Sequence, residues 1–227
     1  MSSAASFYES GLLQSVNGPI LRPGGLELTD RALELCRFPA DARLLDVGCG
    51  SGVTVEHLRE SHGFAACGVD ISRKLIAEGL LRNPDLALFA ATAEALPLAG
   101  ESLDGIFCEC VLSLMKEPVK VLKEFHRTLR TGGRLIISDM YSRQTVSDAD
   151  FETSAPDTCR GGMLSRKRIE SRLTECGFTG LLWEDHTRLL KELAARIILT
   201  RGSLEGFPEM CCGEEKPGYY LLVAFKK

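Results

Sequence analysis

The sequence predicts an α/β fold, a doubly wound sheet with helices on both faces, and three observations carry that prediction. Apolar runs of strand length alternate with amphipathic stretches of helix length along most of the 227 residues. The first clear run, Leu44-Leu45-Asp46-Val47, breaks at Gly48-Cys49-Gly50-Ser51-Gly52, and a helical pattern over 53–58 follows at once. Strand, glycine turn and helix make the mononucleotide-binding half of such a sheet, where the backbone must turn sharply beside a ligand. A second run, 65–70, ends in Asp70, about 20 residues past the turn, where a carboxylate can accept both hydroxyls of a ribose.

Taken in order, residues 1–25 have little periodicity, with breakers at Gly18-Pro19 and Arg22-Pro23-Gly24-Gly25. A helix is expected over 26–38, with Leu28, Ala32, Leu35 and Cys36 on one face. After the second strand, Ser72 is placed to cap a helix over 73–81. A short third strand spans 86–90. The stretch 102–108 leads into a fourth, with Glu109, Cys110 and Val111 at its carboxyl end. The stretch 117–130 is an amphipathic helix carrying Val121, Leu122, Phe125 and Leu129 inward, with Arg127 and Arg130 suited to its C-terminal dipole. Gly132-Gly133 then turns the chain into a fifth strand over 134–139. A helix over 165–176 ends at Gly177, a sixth strand covers 178–184, a helix covers 187–199, and 218–225 is the closing strand. Two long connections, 141–164 and 186–217, leave the carboxyl ends of parallel strands, where long loops usually serve function.

Composition narrows the functional class. With 44% hydrophobic residues the chain is one domain with a full core, 1–227. A net charge of -4 and a pI near 5.7 argue against nucleic acid as a partner. No run reaches the roughly 18 apolar residues of a membrane span, and no signal-peptide pattern opens the chain, so a cytoplasmic protein is expected. Nine cysteines at scattered spacing, with no CxxC pair, form neither a disulfide framework nor a structural zinc site, and no metal is expected.

The turn Gly48-x-Gly50-x-Gly52, with Asp46 inside the strand end, departs from the dinucleotide pattern G-x-G-x-x-G and so argues against a nicotinamide dehydrogenase. It resembles motif I of the class I S-adenosylmethionine-dependent methyltransferases, in their small-molecule (type 11, UbiE-like) branch. Further landmarks stand in order: Asp70, the stretch Thr92-Ala93-Glu94-Ala95-Leu96-Pro97-Leu98, the approach Ser102-Leu103-Asp104-Gly105-Ile106-Phe107-Cys108, and Arg127-x-Leu129-Arg130-x-Gly132-Gly133. The resemblance covers residues 40–140 well and the rest loosely. It implies a Rossmann-like sheet of seven strands, mostly parallel with an antiparallel last strand. It also implies S-adenosylmethionine as cofactor, S-adenosylhomocysteine as product and a small-molecule acceptor. Cofactor contacts would fall on Asp46, Gly48, Cys49, Gly50, Gly52, Asp70, Ile71, Thr92, Ala93, Glu94 and Cys108. Thr92 stands where the family commonly has an acid. An N-terminal segment, 1–40, would fold over the cofactor, bringing Tyr8 and Arg22 within reach of it or of the acceptor.

Methyl transfer asks mainly for approach geometry and exclusion of water, and for a base only when the nucleophile arrives protonated. No catalytic residue is therefore named. Glu109 at the fourth strand's end and His186 at the sixth's are candidate substrate contacts, whereas His57, His62 and His126 read as surface residues. Cys36, Cys67 and Cys176 occupy core positions. Cys159 and the pair Cys211-Cys212 lie on the long connections, and Cys159-Arg160-Gly161-Gly162-Met163 is similar to the thiol loop of arsenite methyltransferases. That family's further helix cysteine is matched here by Val55. A metalloid acceptor is one alternative, and a non-catalytic module that binds S-adenosylmethionine is another.

Overall fold

In a computed structural model the described residues are 9–10, 22–143, 163–204 and 217–227. The elements run α1 (Gly25–Cys36), β1 (Arg43–Val47), α2 (Val53–Glu60), β2 (Ala65–Asp70), α3 (Arg73–Arg82), β3 (Leu88–Ala90) and β4 (Leu103–Glu109). A 3-10 turn (Leu112–Leu114) leads to α4 (Pro118–Thr128), β5 (Leu129–Ser142), α5 (Arg166–Glu175), β6 (Phe178–Asp185), α6 (Thr187–Arg201) and β7 (Pro217–Lys226).

One seven-stranded sheet has the order β3-β2-β1-β4-β5-β7-β6. Successive strand residues point to opposite faces, so each apolar strand feeds two cores. Leu45, Val47, Ile106 and Cys108 face α4 and α5, meeting Val121, Phe125, Ile169 and Leu173. Leu44, Phe107 and Ile136 face α1 and α2, meeting Leu28, Ala32, Val55 and Leu58. Register sets the site. Val47 pairs with Val69 on one side and Cys108 on the other, so the glycine turn, Asp70 and Glu109 emerge together at one edge. Strand order reverses between β1 and β4, where open α/β sheets hold ligands.

Ser72 caps α3 as expected, accepting from the Leu75 N–H at 3.2 Å, and Gly177 follows α5 with φ 90. One expectation is corrected, the reach of the helix expected over 117–130. Helix α4 stops at Thr128, because Leu129 turns extended, and the Gly132-Gly133 turn is absorbed as a register irregularity inside a 14-residue β5. Arg130 therefore leaves the helix dipole and pairs with Asp104 at 2.7 Å. The antiparallel strand β7 lies inside the sheet, paired to β5 and to β6, so β6 forms the edge. Helix α6 buries Leu190, Leu193 and Ile197 but leaves Ile198 exposed, a narrower face than its apolar composition suggests. Among the described residues no helix is long and apolar enough to cross a membrane.

Candidate functional site

The floor of the site is main chain. Gly48, Gly50 and Gly52 have φ of 74, 54 and 80, a left-handed conformation that side chains disfavour. Their surroundings differ. A Cβ on Gly48 would stand 2.2 Å from Val111 Cγ2, and one on Gly52 would stand 2.8 Å from both Leu88 methyls. Among the described residues a Cβ on Gly50 would meet nothing nearer than Leu75 Cδ1 at 3.9 Å. Gly48 and Gly52 are thus required by the protein's own packing, whereas Gly50 faces room. The N–H groups of Gly48 and Cys49 both donate to Val69 O, at 2.8 and 3.1 Å, which seats the turn on β2. Among the described residues Gly52 opens α2 without a side-chain cap, so the first-turn amides form an electropositive end.

Asp70 stands at the end of β2, half-buried. The Gly50 N–H donates to Oδ2 at 2.8 Å and the Ser72 N–H to Oδ1 at 2.7 Å, so both oxygens are fixed and each keeps a further lone pair. Burial pushes the Asp70 carboxyl up, and those two N–H groups pull it back. Next to it Ile71 is 71% exposed, an apolar side chain left at the lip of the cleft. The Ala91 N–H donates to Asp70 O at 3.0 Å, bringing a tight turn alongside in which Thr92 bridges Ala95. In that turn Thr92 is exposed, Ala93 buried and Glu94 partly buried. On the other side the Ser72 hydroxyl donates to Glu9 Oε1 at 2.6 Å, placing an N-terminal residue two positions from Asp70.

The wall is a buried ionic network. Arg22 Nη2 lies 2.8 Å from Glu109 Oε2, with both side chains almost fully buried. Thr29 of α1 donates to Glu109 Oε1 at 3.2 Å and accepts from Arg22, while Thr54 of α2 donates to Oε2 at 3.4 Å. Arg22 and Glu109, both candidate contacts of the bound ligands, hold each other. A buried charge needs a partner, and each is the other's. Asp46 is buried beside them. Desolvation and the Glu109 charge push its carboxyl up, and Arg22 pulls it down. Among the described residues, Asp46, Asp70 and Glu109 are the acids gathered near Arg22, and Glu109 is the one paired with it.

A second acid, unflagged by the sequence, fixes the adjoining loop. Asp139 near the end of β5 accepts from Ser113 N–H, the Ser113 hydroxyl and Met140 N–H at 2.7 to 2.8 Å. Burial pushes it up to about 6 despite those donors. Cys110 follows Glu109 with φ 58, and its sulfur lies 3.1 Å from the Tyr219 hydroxyl. Thr29, Thr54 and Asp139 carried no motif. Thr54's place in the first turn after the glycines is the one local signal among them.

Other expected contacts separate. Cys108 is fully buried in the core, and burial holds its thiol protonated, so it offers no side chain to a ligand. Cys49 is also buried, packed where a Cβ on Gly68 would stand 2.7 Å from it, so only its main chain serves the turn. His186 binds Glu184 at 3.1 Å, and Glu184 is bridged to Arg31 at 2.7 Å. Neither imidazole nor carboxylate there is a lone base. Val55 is fully buried in the second core, so the helix position of the metalloid family's thiol is a packing residue here. Tyr8, Cys159, Cys211 and Cys212 lie outside the described residues.

Comparisons with known proteins bear on the family and the fold. A family model described as "Methyltransferase domain" matches residues 45–137. The chain is 31% identical to a malonyl-[acyl-carrier protein] O-methyltransferase of Methylococcus capsulatus, over 75% of this chain and 71% of that protein. It is 29% identical to an O-methyltransferase of Pyrenophora dematioidea, over 87% and 79%. In fold it is similar to phosphoethanolamine N-methyltransferase 2 of Haemonchus contortus, solved with S-adenosyl-L-methionine. That match has a TM-score of 0.78 at 19% identity, covering 100% of this chain and 60% of the other. The [4+2]-cyclase SpnF gives 0.77 at 21%, covering 98% and 93%.

Proposed function

This chain belongs to the S-adenosylmethionine-dependent methyltransferases, and from that premise we propose how its own residues bind the cofactor and present it to a small organic acceptor. When bound, S-adenosylmethionine supplies an activated methyl group whose carbon–sulfur bond breaks as the acceptor's electron pair attacks, leaving S-adenosylhomocysteine. Asp70 uses the free lone pairs of its two anchored oxygens to accept the ribose hydroxyls. The open side of Gly50 lets the main chain approach the ligand where a Cβ would intrude. Exposed Ile71 and the turn at Thr92, Ala93 and Glu94 take the adenine.

The observation that carries this reading is the pairing of the Gly50 N–H with the Asp70 carboxylate, which ties the two halves of the nucleoside site together. The contact between Glu9 and Ser72 supports an N-terminal segment that closes over the ribose end. The connections 141–164 and 186–217 start from the same strand edge and would wall the acceptor site. The acidic net charge supports a small-molecule role without nucleic acid.

Removing the Asp70 carboxylate leaves two hydroxyls without their charged acceptor, a loss of roughly 1.5–3 kcal/mol. Asp70→Ala is expected to weaken S-adenosylmethionine binding about ten- to a hundred-fold by calorimetry. Unchanged affinity would overturn the assignment. Release of S-adenosylhomocysteine with candidate acceptors separates an enzyme from a non-catalytic binding module.

A further inference from the structure

We infer a divalent transition-metal site at the opposite edge of the sheet from the glycine turn, built by Asp30 of α1, His57 of α2 and His62 just past the end of α2. Asp30 Oδ1 lies 2.6 Å from His57 Nε2 and 2.8 Å from His62 Nε2, and the two imidazole nitrogens are 3.3 Å apart. Three donor atoms that close together leave a point about 2 Å from each, the length of a zinc–nitrogen or zinc–oxygen bond. Without an ion, one carboxylate oxygen has to serve two imidazoles whose nitrogens also crowd each other. An ion at the common point uses all three lone pairs at once.

The surroundings hold the ligands in place. The two imidazoles meet edge to face with centroids 4.9 Å apart, and His62 stacks on Phe64, which in turn meets Phe38 edge-on. Side-chain exposures of 15% for His57, 33% for His62 and 43% for Asp30 leave one side open to water, so the remaining coordination positions can be filled by solvent. Two imidazoles and one carboxylate are a borderline donor set, suited to zinc, cobalt or nickel rather than to calcium or magnesium. Asp30 comes from a separate segment, 27 and 32 positions before the two histidines, which is why no short motif announces the set.

The ion would brace α1 against α2. Asp30 follows Thr29, whose hydroxyl joins the Arg22–Glu109 network, so the brace and the wall of the cleft share one helix. The site does not depend on how the cleft binds its ligand.

The test uses the full chain, stripped with chelator, then dialysed and titrated with cobalt(II). One equivalent should bind, giving weak visible bands of nitrogen and oxygen coordination and no thiolate-to-cobalt charge-transfer band. Zinc should displace it and raise the melting temperature. Asp30→Asn and His62→Ala, both at partly exposed positions, should keep the apo fold by circular dichroism. Each should weaken the metal by at least about tenfold, as disturbance of a metal's shell commonly does. A thiolate band, equal affinity in wild type and both variants, or no binding below about 1 mM (a free energy near 4 kcal/mol) would overturn the site.

Discussion

The turn between β1 and α2 and the wall over β4 stand at the same edge of the sheet, yet they are assembled differently. The turn takes its shape from glycines two residues apart and from hydrogen bonds to the neighbouring strand. The wall joins Glu109 to Thr29 and Thr54, which are 80 and 55 positions away. Close in space, the two regions fail differently when altered. A local main-chain device loses ligand or strains its own backbone. A long-range buried ion pair, once broken, leaves a charge without solvent or partner.

The largest expected effect tests the wall. Glu109→Ala strands the Arg22 guanidinium and should cost roughly 3–5 kcal/mol, a drop in melting temperature on the order of 10 °C. Replacing both partners by methionine should cost less than this single change, measured by urea denaturation. If the double change is worse, the pair is not what holds the wall.

Next comes Gly48→Ala, which adds strained backbone to an overlap with Val111 Cγ2 at 2.2 Å. A loss of roughly 2–3 kcal/mol is expected, partly restored by Val111→Ala. No restoration would mean that the contact with Val111 is not limiting.

A pH dependence probes the loop held by Asp139. Because burial raises its folded pKa to about 6, its contribution to stability is full below about pH 4 and is lost as pH rises through 6. The stability of wild type minus that of Asp139→Asn should therefore fall by on the order of 2 kcal/mol from pH 4 to pH 6. A difference that rises or stays flat would contradict the burial argument.

The smallest stability change, and the sharpest contrast, belongs to Gly50→Ala. Only the left-handed backbone is strained, at roughly 1–2 kcal/mol, since among the described residues the nearest atom to the new Cβ is Leu75 Cδ1 at 3.9 Å. S-adenosylmethionine affinity should fall at least about tenfold, the equivalent of 1.4 kcal/mol. Stability lost as heavily as in Gly48→Ala, with affinity intact, would erase the distinction between the two glycines.

The same contrast explains what could be read from the sequence. Asp70, Ser72 and the three glycines announce themselves by local spacing, because strand, turn and cap are short-range devices. Arg22 and Glu109 were visible as charged residues, but nothing in the sequence says that they meet. His57 and His62 read as surface positions because Asp30 arrives from another helix. The place of β7 within the sheet is not legible in the sequence for a related reason. Apolar alternation identifies a strand, whereas its place in the sheet is set by pairing on both sides.

That interior strand bears on how the chain folds as it is made. A nascent chain that has left the ribosome only as far as α6 has β5 open along one edge and β6 without a neighbour to pair with. An unpaired edge of apolar residues invites association with other chains. The sheet can close only when β7 slides between two strands already synthesised, a step of high contact order and therefore a slow one. The interval between exposure of β5 and arrival of β7 is when a chaperone would matter most to this protein.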